Sequence, residues 1–236
     1  MNLNGKIALL TGGTGELGRV VTRRFIAAGG DVVVTYRSDS DVPQFAREFP
    51  NVVMLKGDLS KEKDVQDLFT TLLEKKKTVH IVCNLVGGYM PKKDIADLEE
   101  REWEFMFALN LKTCFLCSQN ALRIMRKNKY GRIINVSAMA GFDPGAGRGA
   151  YGIAKAGVAT LTHIAGEEAK SYLDSDITVN AIAPSVLLTA ANKQSSSSAE
   201  SGAWVTLDEA ANVILFLASD EASAINGQTI RIYGGV

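Results

Sequence analysis

The sequence has few cysteines and histidines, the residues on which disulfides and many metal sites depend. Its 236 residues include three cysteines and two histidines. An odd cysteine count in a chain that opens without a signal-peptide pattern argues against a disulfide framework. Basic and acidic residues both number 26, so the formal net charge is zero. A neutral chain has no overall attraction for nucleic acid or an anionic membrane.

Long apolar runs are absent as well. No run approaches the roughly 18–20 residues that span a bilayer. These absences predict a cytoplasmic, soluble protein whose partners include neither nucleic acid nor a membrane. His80 precedes one predicted strand and His163 lies within a predicted helix, so neither is expected to act as a general base.

The only closely spaced cysteine pair is Cys114 and Cys117, within the helical pattern of Leu109–Met125. No second Cys/His pair completes a metal site, so no metal is expected. Packing is the favoured interpretation of the pair, with redox or metal chemistry as the alternative.

Apolar, β-rich runs alternate with helical patterns almost from end to end of the chain. Several runs are continuously apolar, which is typical of parallel strands covered by helices on both faces. The chain shows no linker and no repeat, and the alternation predicts one α/β domain with a doubly wound parallel sheet. The predicted strands are Ile7–Thr11, Val32–Tyr36, Val52–Lys56, Ile81–Val86, Gly131–Ser137, Thr178–Ala183 and Thr229–Ile232. The predicted helices are Leu17–Ala28, Asp41–Glu48, Lys61–Lys76, Glu99–Lys127, Tyr151–Tyr172 and Leu207–Ala218.

A glycine-rich turn joins the first predicted strand to the first helix. Glycines there let the backbone approach a pyrophosphate, and the helix N-terminus adds unpaired N–H groups and partial positive charge. Because the strand and the helix are both in place, the turn predicts a dinucleotide site in a Rossmann fold. Its candidate ligands are Gly12, Thr14, Gly15, Glu16, Leu17 and Gly18.

The end of the second strand bears on cofactor choice. An NAD-binding site usually places an acidic side chain here to accept hydrogen bonds from the ribose. This chain has Tyr36-Arg37-Ser38, whose guanidinium and hydroxyl suit a 2′-phosphate. NADP(H) is therefore favoured, and NAD(H) remains possible because Asp39 and Asp41 follow closely.

The predicted fifth strand leads through a glycine-rich loop to Tyr151 and Lys155. Residues four apart share one face of a helix, so the phenol and the ammonium can point to one place. A nearby cation is expected to lower the pKa of the phenol, which could then exchange a proton with a group that gains or loses charge during hydride transfer.

These motifs identify the chain as similar to the short-chain dehydrogenase/reductase family over essentially its whole length. The landmarks shared in family order are the turn at 12–18, Asp58, Asn84-Leu85-Val86-Gly87, Asn110, Tyr151 with Lys155, Asn180-Ala181-Ile182-Ala183-Pro184, Phe216-Leu217-Ala218-Ser219-Asp220, Gly227-Gln228 and Gly234-Gly235.

The resemblance implies a single NAD(P)-binding domain over residues 1–236, a strand order of 3-2-1-4-5-6-7 and a substrate loop at about 188–206. It also implies a homodimer or homotetramer built through the helices that carry Asn110 and Tyr151. The resemblance implies that Asp58 binds the adenine, Val86 and Gly87 line the adenosine ribose, Lys155 binds the nicotinamide ribose, and Leu187 and Thr189 contact the carboxamide. The further candidate cofactor ligands are Leu59, Asn84, Tyr151 and Pro184. Asn110 would join a water-linked proton relay.

Two departures from the family pattern are informative. Position 16 is glycine in the commonest branch and glutamate here, so we expect Glu16 to turn away from the pyrophosphate. The family's substrate-binding serine lies thirteen residues before the tyrosine, where this chain has Ala138. Ser137 is one residue too early, and neighbouring residues at a strand end point to opposite sides. Ser137 nevertheless stays a candidate catalytic residue.

The departures resemble one relative in particular, quinonoid dihydropteridine reductase. The shared features are the G-G-x-G-x-L-G turn, alanine at the serine position, Gly87-Gly88-Tyr89, and a short substrate loop followed by Trp204. A quinonoid pterin needs no serine to hold a carbonyl. Trp204 could stack on a flat ring, and the serine run at 195–198 could be a lid or a plain surface loop.

The favoured function is therefore transfer of hydride from NADPH to a small carbonyl-type substrate, similar to 3-oxoacyl reductases, with Tyr151 as proton donor. One alternative is a quinonoid dihydropteridine reductase activity. The other is a non-catalytic sensor that binds NADP(H) and reports redox state to a partner.

Overall fold

Seven parallel strands form one sheet in the computed structural model, which describes residues 1–194 and 204–235. The strand order is β3-β2-β1-β4-β5-β6-β7, which confirms the predicted topology. The strands are β1 (Ile7–Thr11), β2 (Asp31–Tyr36), β3 (Val53–Lys56), β4 (Ile81–Asn84), β5 (Tyr130–Val136), β6 (Asp176–Pro184) and β7 (Thr229–Ile232).

Helices cover both faces of the sheet. They are α1 (Glu16–Ala27), α2 (Val42–Glu48), α3 (Glu62–Lys76), α4 (Glu100–Phe107), α5 (Thr113–Asn128), α6 (Gly149–Lys170), α7 (Ala190–Gln194) and α8 (Leu207–Ala218). Successive strand residues enter opposite cores: Leu10 and Val34 pack with the side chains of α1 and α8, whereas Leu9 and Val33 pack with those of α3 and α5. Burial on both faces explains why the strands are continuously apolar.

The predicted helix Glu99–Lys127 is not uniform. A π-helical turn at Ala108–Lys112 separates α4 from α5, and Asn110 lies buried in that turn. Its side-chain amide donates to the Met106 carbonyl four residues earlier, at 3.1 Å. In an ordinary α-helix this carbonyl would accept from the backbone N–H of residue 110. The periodicity of the sequence could not predict that a side chain binds it.

The predicted fourth strand also ends early, at Asn84 rather than Val86. The N–H groups of Leu85 and Val86 point to the Thr11 hydroxyl oxygen, at 3.0 and 3.4 Å, instead of a neighbouring strand. The chain therefore turns at the carboxyl edge of the sheet. The other predicted boundaries lie within two residues of those observed.

The carboxyl ends of all the strands meet at one edge because the sheet is entirely parallel. This edge gathers the glycine turn after β1, the segment after β4, the end of β5 and the loop after β6. Among the described helices, none is both long enough and apolar enough to cross a membrane.

Candidate active site

A cleft of about 700 Å³ opens at the carboxyl edge of the sheet, from the glycine turn after β1 across the ends of β4, β5 and β6. Its volume is that of a small-molecule or cofactor site. Its walls come from the glycine turn, the segment after β4, the end of β5, the first turns of α6 and the loop after β6. The predicted residues that line it are Gly12, Gly15, Glu16, Leu17, Gly18, Gly87, Ser137, Tyr151, Lys155, Pro184, Leu187 and Thr189.

The glycine turn is packed too tightly to hold side chains at its main positions. A Cβ on Gly18 would lie 2.5 Å from the Gly12 carbonyl oxygen, and one on Gly13 would lie 2.5 Å from Val34. Gly12 has a φ of +65°, which favours glycine. Gly15 precedes α1 without a side-chain cap, so the first N–H groups of the helix lack a side-chain acceptor. These features fit a dinucleotide pyrophosphate.

Glu16 connects this turn to the loop on the far side of the cleft. The side chain is exposed, and both of its carboxylate oxygens accept from the Ala190 N–H, at 3.0 and 3.1 Å. Ala190 is the first residue of α7. Glu16 therefore contacts the segment that carries Leu187 and Thr189, a link that no local pattern predicted.

The segments after β2 and β3, predicted to bind the adenine end of the cofactor, lie outside the cleft lining. Arg37 and Ser38 are exposed, and the carboxylate of Asp39 pairs with Lys56. Hydrogen bonds from Ser60 hold the pKa of Asp58 below its ordinary value, and the charge of nearby Arg37 acts in the same direction. Of the two acidic side chains that follow Arg37, Asp39 is thus paired with a cation, whereas Asp41 accepts from the Ser40 hydroxyl at 3.2 Å.

The other residues predicted to bind the cofactor near these segments are partly or fully buried. Leu59 is buried, and Tyr36 is half-buried with its carbonyl accepting from Gly57 N–H at 3.1 Å. Thr14 is half-buried and accepts from the Arg19 side chain through its carbonyl, at 3.0 Å. Val86 packs against the turn, 3.1 Å from the place that a Cβ on Gly12 would occupy.

Asn84 is turned into the protein interior, which corrects its assignment as a cofactor ligand. Its amide donates to the Asn135 side chain at 2.8 Å and to the Ser118 hydroxyl at 3.0 Å. The side chain is buried and does not line the cleft. It joins β4 to β5 and α5 instead, because the last residue of β4 points to that face of the sheet.

Asn110 fixes the backbone of the Gly87-Gly88 segment. Its amide donates to the Gly88 carbonyl at 3.0 Å and its carbonyl accepts from the Gly88 N–H at 3.1 Å. A Cβ on Gly87 would lie 2.9 Å from Asn110 Oδ1 and 3.0 Å from Lys155 Nζ. This close packing brings Asn110, Gly87 and Lys155 together beside the cleft.

Tyr151 and Lys155 lie on α6 and line the same cleft, with the ammonium 5.9 Å from the ring centroid of the tyrosine. Lys155 donates to the Val136 carbonyl at 2.9 Å. Burial raises the pKa of Tyr151 to about 12, and the charge of Arg148 opposes this rise. The prediction that a nearby cation lowers the pKa of this phenol is therefore wrong, because desolvation outweighs the surrounding charges.

Burial acts on Lys155 as well and lowers its pKa from 10.5 to about 8. Since the unfolded chain holds this proton more tightly, the charge costs stability at low pH, and stability rises as pH passes from about 8 toward 10.5. Lys155→Met removes this dependence. We expect the free energy of unfolding of the variant to decrease relative to that of wild type as pH rises from 7 to 10, because only wild type gains stability in this range.

Denaturant titrations at several pH values measure this difference. Lys127→Met, on the exposed end of α5, is the control and should follow wild type throughout. A Lys155→Met curve parallel to that of wild type would contradict the lowered pKa.

Neither Ala138, at the position of the family's serine, nor the preceding Ser137 offers a free hydroxyl to Tyr151. The Ser137 hydroxyl is buried and donates to the Lys155 carbonyl at 2.7 Å. Its role is to attach the end of β5 to α6, which argues against its assignment as a catalytic residue. Ala138, Met139 and Ala140 line the cleft next to it.

The loop after β6 forms one wall of the cleft. The Asn192 amide donates to the Leu187 carbonyl at 2.8 Å, and the Asn192 N–H donates to the Thr189 hydroxyl at 3.2 Å. Trp204 lines the cleft, as its position after the loop suggested. The serine run at 195–198 lies outside the described residues.

Two neighbours of Tyr151, one aromatic and one basic, were not predicted from the sequence. Tyr89 meets the Tyr151 ring edge-on, with centroids 5.1 Å apart. Arg148 lines the cleft three residues before Tyr151. The spacing of Arg148, one helical turn from the tyrosine, was a usable signal; the position of Tyr89 depends on the fold.

None of the described cysteines and histidines lines the cleft, although the Cys114 thiol lies close enough to Lys155 for the two groups to interact electrostatically. Cys114 and Cys117 are unpaired and buried, and burial raises the pKa of both thiols. The His80 Nδ1 accepts from Ile7 N–H at 2.9 Å. Within the described residues, no group of three potential metal ligands comes together.

Fold and cleft together define a Rossmann-type protein with a dinucleotide turn at one end of its site and a Tyr-Lys pair at the other. A family model described as enoyl-(acyl carrier protein) reductase matches residues 14–236. The chain belongs to the short-chain dehydrogenase/reductase family, and it is an oxidoreductase of that family.

Individual relatives differ in their substrates. The 3-oxoacyl-[acyl-carrier-protein] reductase of Aquifex aeolicus is 30% identical, with 100% of this chain and 99% of the relative covered. The 7alpha-hydroxysteroid dehydrogenase of Bacteroides fragilis is 32% identical, with 98% and 94% covered. Among solved structures, levodione reductase has a TM-score of 0.88 at 25% identity, covering 99% of this chain and 98% of its own.

Proposed function

We propose that the protein reduces a small carbonyl-type substrate with NADPH and that Tyr151 is the proton donor. The observation that carries this proposal is the placement of Tyr151 and Lys155 in the cleft that begins at the glycine turn. Several relatives of about 30% identity are 3-oxoacyl-[acyl-carrier-protein] reductases, and their reaction is of this type.

NADPH, when bound, supplies a hydride to the acceptor carbon. The phenol of Tyr151 gives its proton to the atom that gains negative charge. Lys155 lies beside the phenol, where its positive charge would stabilise the phenolate that remains. Asn110 holds the backbone of Gly87 and Gly88, which form the wall of the cleft beside Lys155.

The direct test is oxidation of NADPH by the purified protein against a panel of acceptors. The panel holds a 3-oxoacyl thioester, simple diketones and a quinonoid dihydropterin. Turnover of one carbonyl acceptor, abolished by heat inactivation, supports the proposal. A protein that binds NADPH tightly and turns over none of the acceptors would support the sensor alternative instead.

The preference for NADPH is tested by Arg37→Ala. The exposed guanidinium can pair with a 2′-phosphate, and removal of such a charge-assisted contact costs about 1.5–3 kcal/mol. We expect the Kd for NADPH to rise about 10–100-fold, with little change for NADH. Fluorescence titration of both cofactors measures the effect.

Arg47→Ala is the matched control, since Arg47 is exposed on α2 and donates to the Pro43 carbonyl within its own helix. Its NADPH and NADH affinities should match those of wild type. Equal losses of NADPH and NADH affinity in Arg37→Ala would refute the assignment of NADPH.

A second candidate function, reduction of a quinonoid dihydropterin, is favoured by one specific observation. The position of the family's serine is occupied by Ala138, and the neighbouring Ser137 hydroxyl donates to the Lys155 carbonyl. A substrate whose hydride acceptor is a ring with conjugated C=N bonds does not need that hydroxyl. The aromatic rings of Tyr89 and Trp204 at the cleft suit a flat substrate.

Ala138→Ser separates the two functions. A restored hydroxyl would donate to a carbonyl oxygen, and a new charge-assisted hydrogen bond in the transition state is worth about 1.5–3 kcal/mol. We expect kcat/KM for ketones to rise about 10–100-fold. Steady-state kinetics with a diketone and a quinonoid dihydropterin measure the change, with Ala140→Ser as the neighbouring control. A ketone rate unchanged by Ala138→Ser, with rapid turnover of the pterin, would favour the pterin function.

We also propose that the protein forms a homodimer or homotetramer through α4, α5 and α6. Large apolar side chains are exposed along these helices, among them Phe105, Phe115, Ile153 and Ile164. Trp103, also on α4, stacks on Phe107 with ring centroids 4.3 Å apart and stays partly exposed. Exposed apolar clusters of this kind mark protein interfaces, and light scattering measures the state directly.

A further inference from the structure

One charged side chain of the cleft has no partner within the described part of the chain. The charged residues that line the cleft are Glu16, Arg148 and Lys155. Glu16 accepts from Ala190, and Lys155 donates to Val136. The guanidinium of Arg148, by contrast, makes no hydrogen bond and no ion pair to residues 1–194 or 204–235.

The backbone around Arg148 is held firmly from two sides. The Arg148 carbonyl accepts from Gly152 N–H at 2.7 Å at the start of α6. Lys93 N–H donates to the Gly147 carbonyl at 2.9 Å, and Lys93 and Arg148 form a parallel β-bridge. The side chain itself is half-buried. A partly desolvated guanidinium on a fixed backbone is suited to bind an anion.

The neighbouring Lys93 does not provide a second binding site for an anion. The Lys93 ammonium is paired with Glu102 at 2.7 Å and with Glu99 at 3.5 Å. Arg148 is therefore the uncompensated cation at this end of the cleft among the described residues. It acts on Tyr151 through space, since its charge counters the rise in the pKa of that phenol.

Arg148 lines the same cleft as Ala138, the position where the family has a hydroxyl. Without that hydroxyl the protein needs another group to orient the substrate against Tyr151. A guanidinium can bind both oxygens of a carboxylate in one plane, which fixes orientation as well as position. The cofactor must share the cleft of about 700 Å³, which limits the substrate to a small molecule.

We propose that Arg148 binds a carboxylate of the substrate and that the substrate is a small oxo acid. This inference rests on the proposed function and adds the substrate class. The carboxylate is not changed in the reaction. Hydride from NADPH forms a C–H bond at the ketone carbon, the C=O π pair moves to oxygen, and oxygen takes the Tyr151 proton. The ketone is reduced to an alcohol and NADPH is oxidised to NADP⁺.

The experiment compares oxo acids with their uncharged methyl esters. Wild type and Arg148→Met are assayed with 2-oxo and 3-oxo acids of four to six carbons and with the matching esters. We expect wild type to prefer the acid, and we expect Arg148→Met to lower the acid-to-ester ratio of kcat/KM by about 10–100-fold. The change should lie mainly in KM for the acid, and Arg148→Lys should recover part of the ratio.

Lys92→Met is the matched control, because Lys92 is exposed beside Gly147 and does not line the cleft. It removes one positive charge from the same side of the protein. Equal losses of the ratio in Lys92→Met and Arg148→Met would show general attraction of anions and would overturn the proposal. Thermal melts establish that each variant is folded.

A binding measurement separates this inference from the proposed function. Calorimetry follows the binding of a hydroxy acid and its methyl ester to the NADP⁺ complex, with no turnover required. Tighter binding of the acid in wild type, lost in Arg148→Met, supports the assignment. Equal affinities for acid and ester in wild type overturn it, even if uncharged ketones are reduced. Absence of any reduction, with acid binding intact, would instead count against the proposed reaction.

Discussion

Replacing Tyr151 with phenylalanine is expected to lower kcat by about 10²–10⁴-fold, because the variant keeps the ring and loses the proton donor. The edge-on contact with Tyr89 involves only the ring, so the packing of the site should be preserved. NADPH affinity should fall far less than kcat. Stopped-flow or steady-state oxidation of NADPH with the best acceptor of the panel measures the loss.

The matched control is Tyr172→Phe, at a tyrosine that packs under Arg126 away from the cleft. Its kcat should equal that of wild type. A Tyr151→Phe enzyme that retained more than a tenth of the wild-type rate would remove Tyr151 from the role of proton donor. The same variant tests the sensor alternative, in which binding of NADP(H) alone would matter and the phenol would be dispensable.

The second large effect is expected for Gly18→Ala. The new Cβ would lie 2.5 Å from the Gly12 carbonyl oxygen and 2.6 Å from the backbone of Gly13, and backbone atoms cannot rotate away. Overpacking of this kind costs about 1–3 kcal/mol of stability. The first turn of α1 must also shift relative to the pyrophosphate site. We expect NADPH affinity to fall about 10–100-fold or more.

Differential scanning calorimetry and cofactor titration measure the two effects. Gly145→Ala is the control, since a Cβ on Gly145 would meet no atom within 4 Å. Its Tm and its NADPH affinity should both remain near those of wild type. Unchanged NADPH binding by Gly18→Ala would mean that the cofactor does not approach this turn.

The architecture was predictable because its signals are local and repeated. Continuous apolar runs predicted strands buried on both faces, and the predicted sheet order was confirmed. The strand β7 and the helix α8 begin and end where predicted, since turn and capping residues mark their ends; Thr206 caps α8 with Glu209. The π-helical turn at Ala108–Lys112 was not predictable, because it contains the hydrogen bond from the buried Asn110 amide to the Met106 carbonyl, which helical periodicity does not indicate.

The candidate site was predictable where one segment supplies the whole feature. The glycine turn and the Tyr151/Lys155 pair are each fixed by spacing along one strand–turn–helix unit or one helix. Assignments that depended on side-chain direction were less secure. Asn84 and Ser137 lie at strand ends near the cleft, yet both side chains hydrogen-bond into the interior. Which way a polar side chain turns depends on partners from distant segments.

The sequence by itself determined the class of fold, the end of the sheet at which the site forms and the residue types in it. Glycine content and helical spacing carry that information within a few neighbouring residues. The tertiary structure alone decided which groups meet: Glu16 with Ala190, Asn110 with Gly88, and Tyr89 with Tyr151. It also decided the pKa of Tyr151 and Lys155, because burial comes from the packing of the whole chain around them.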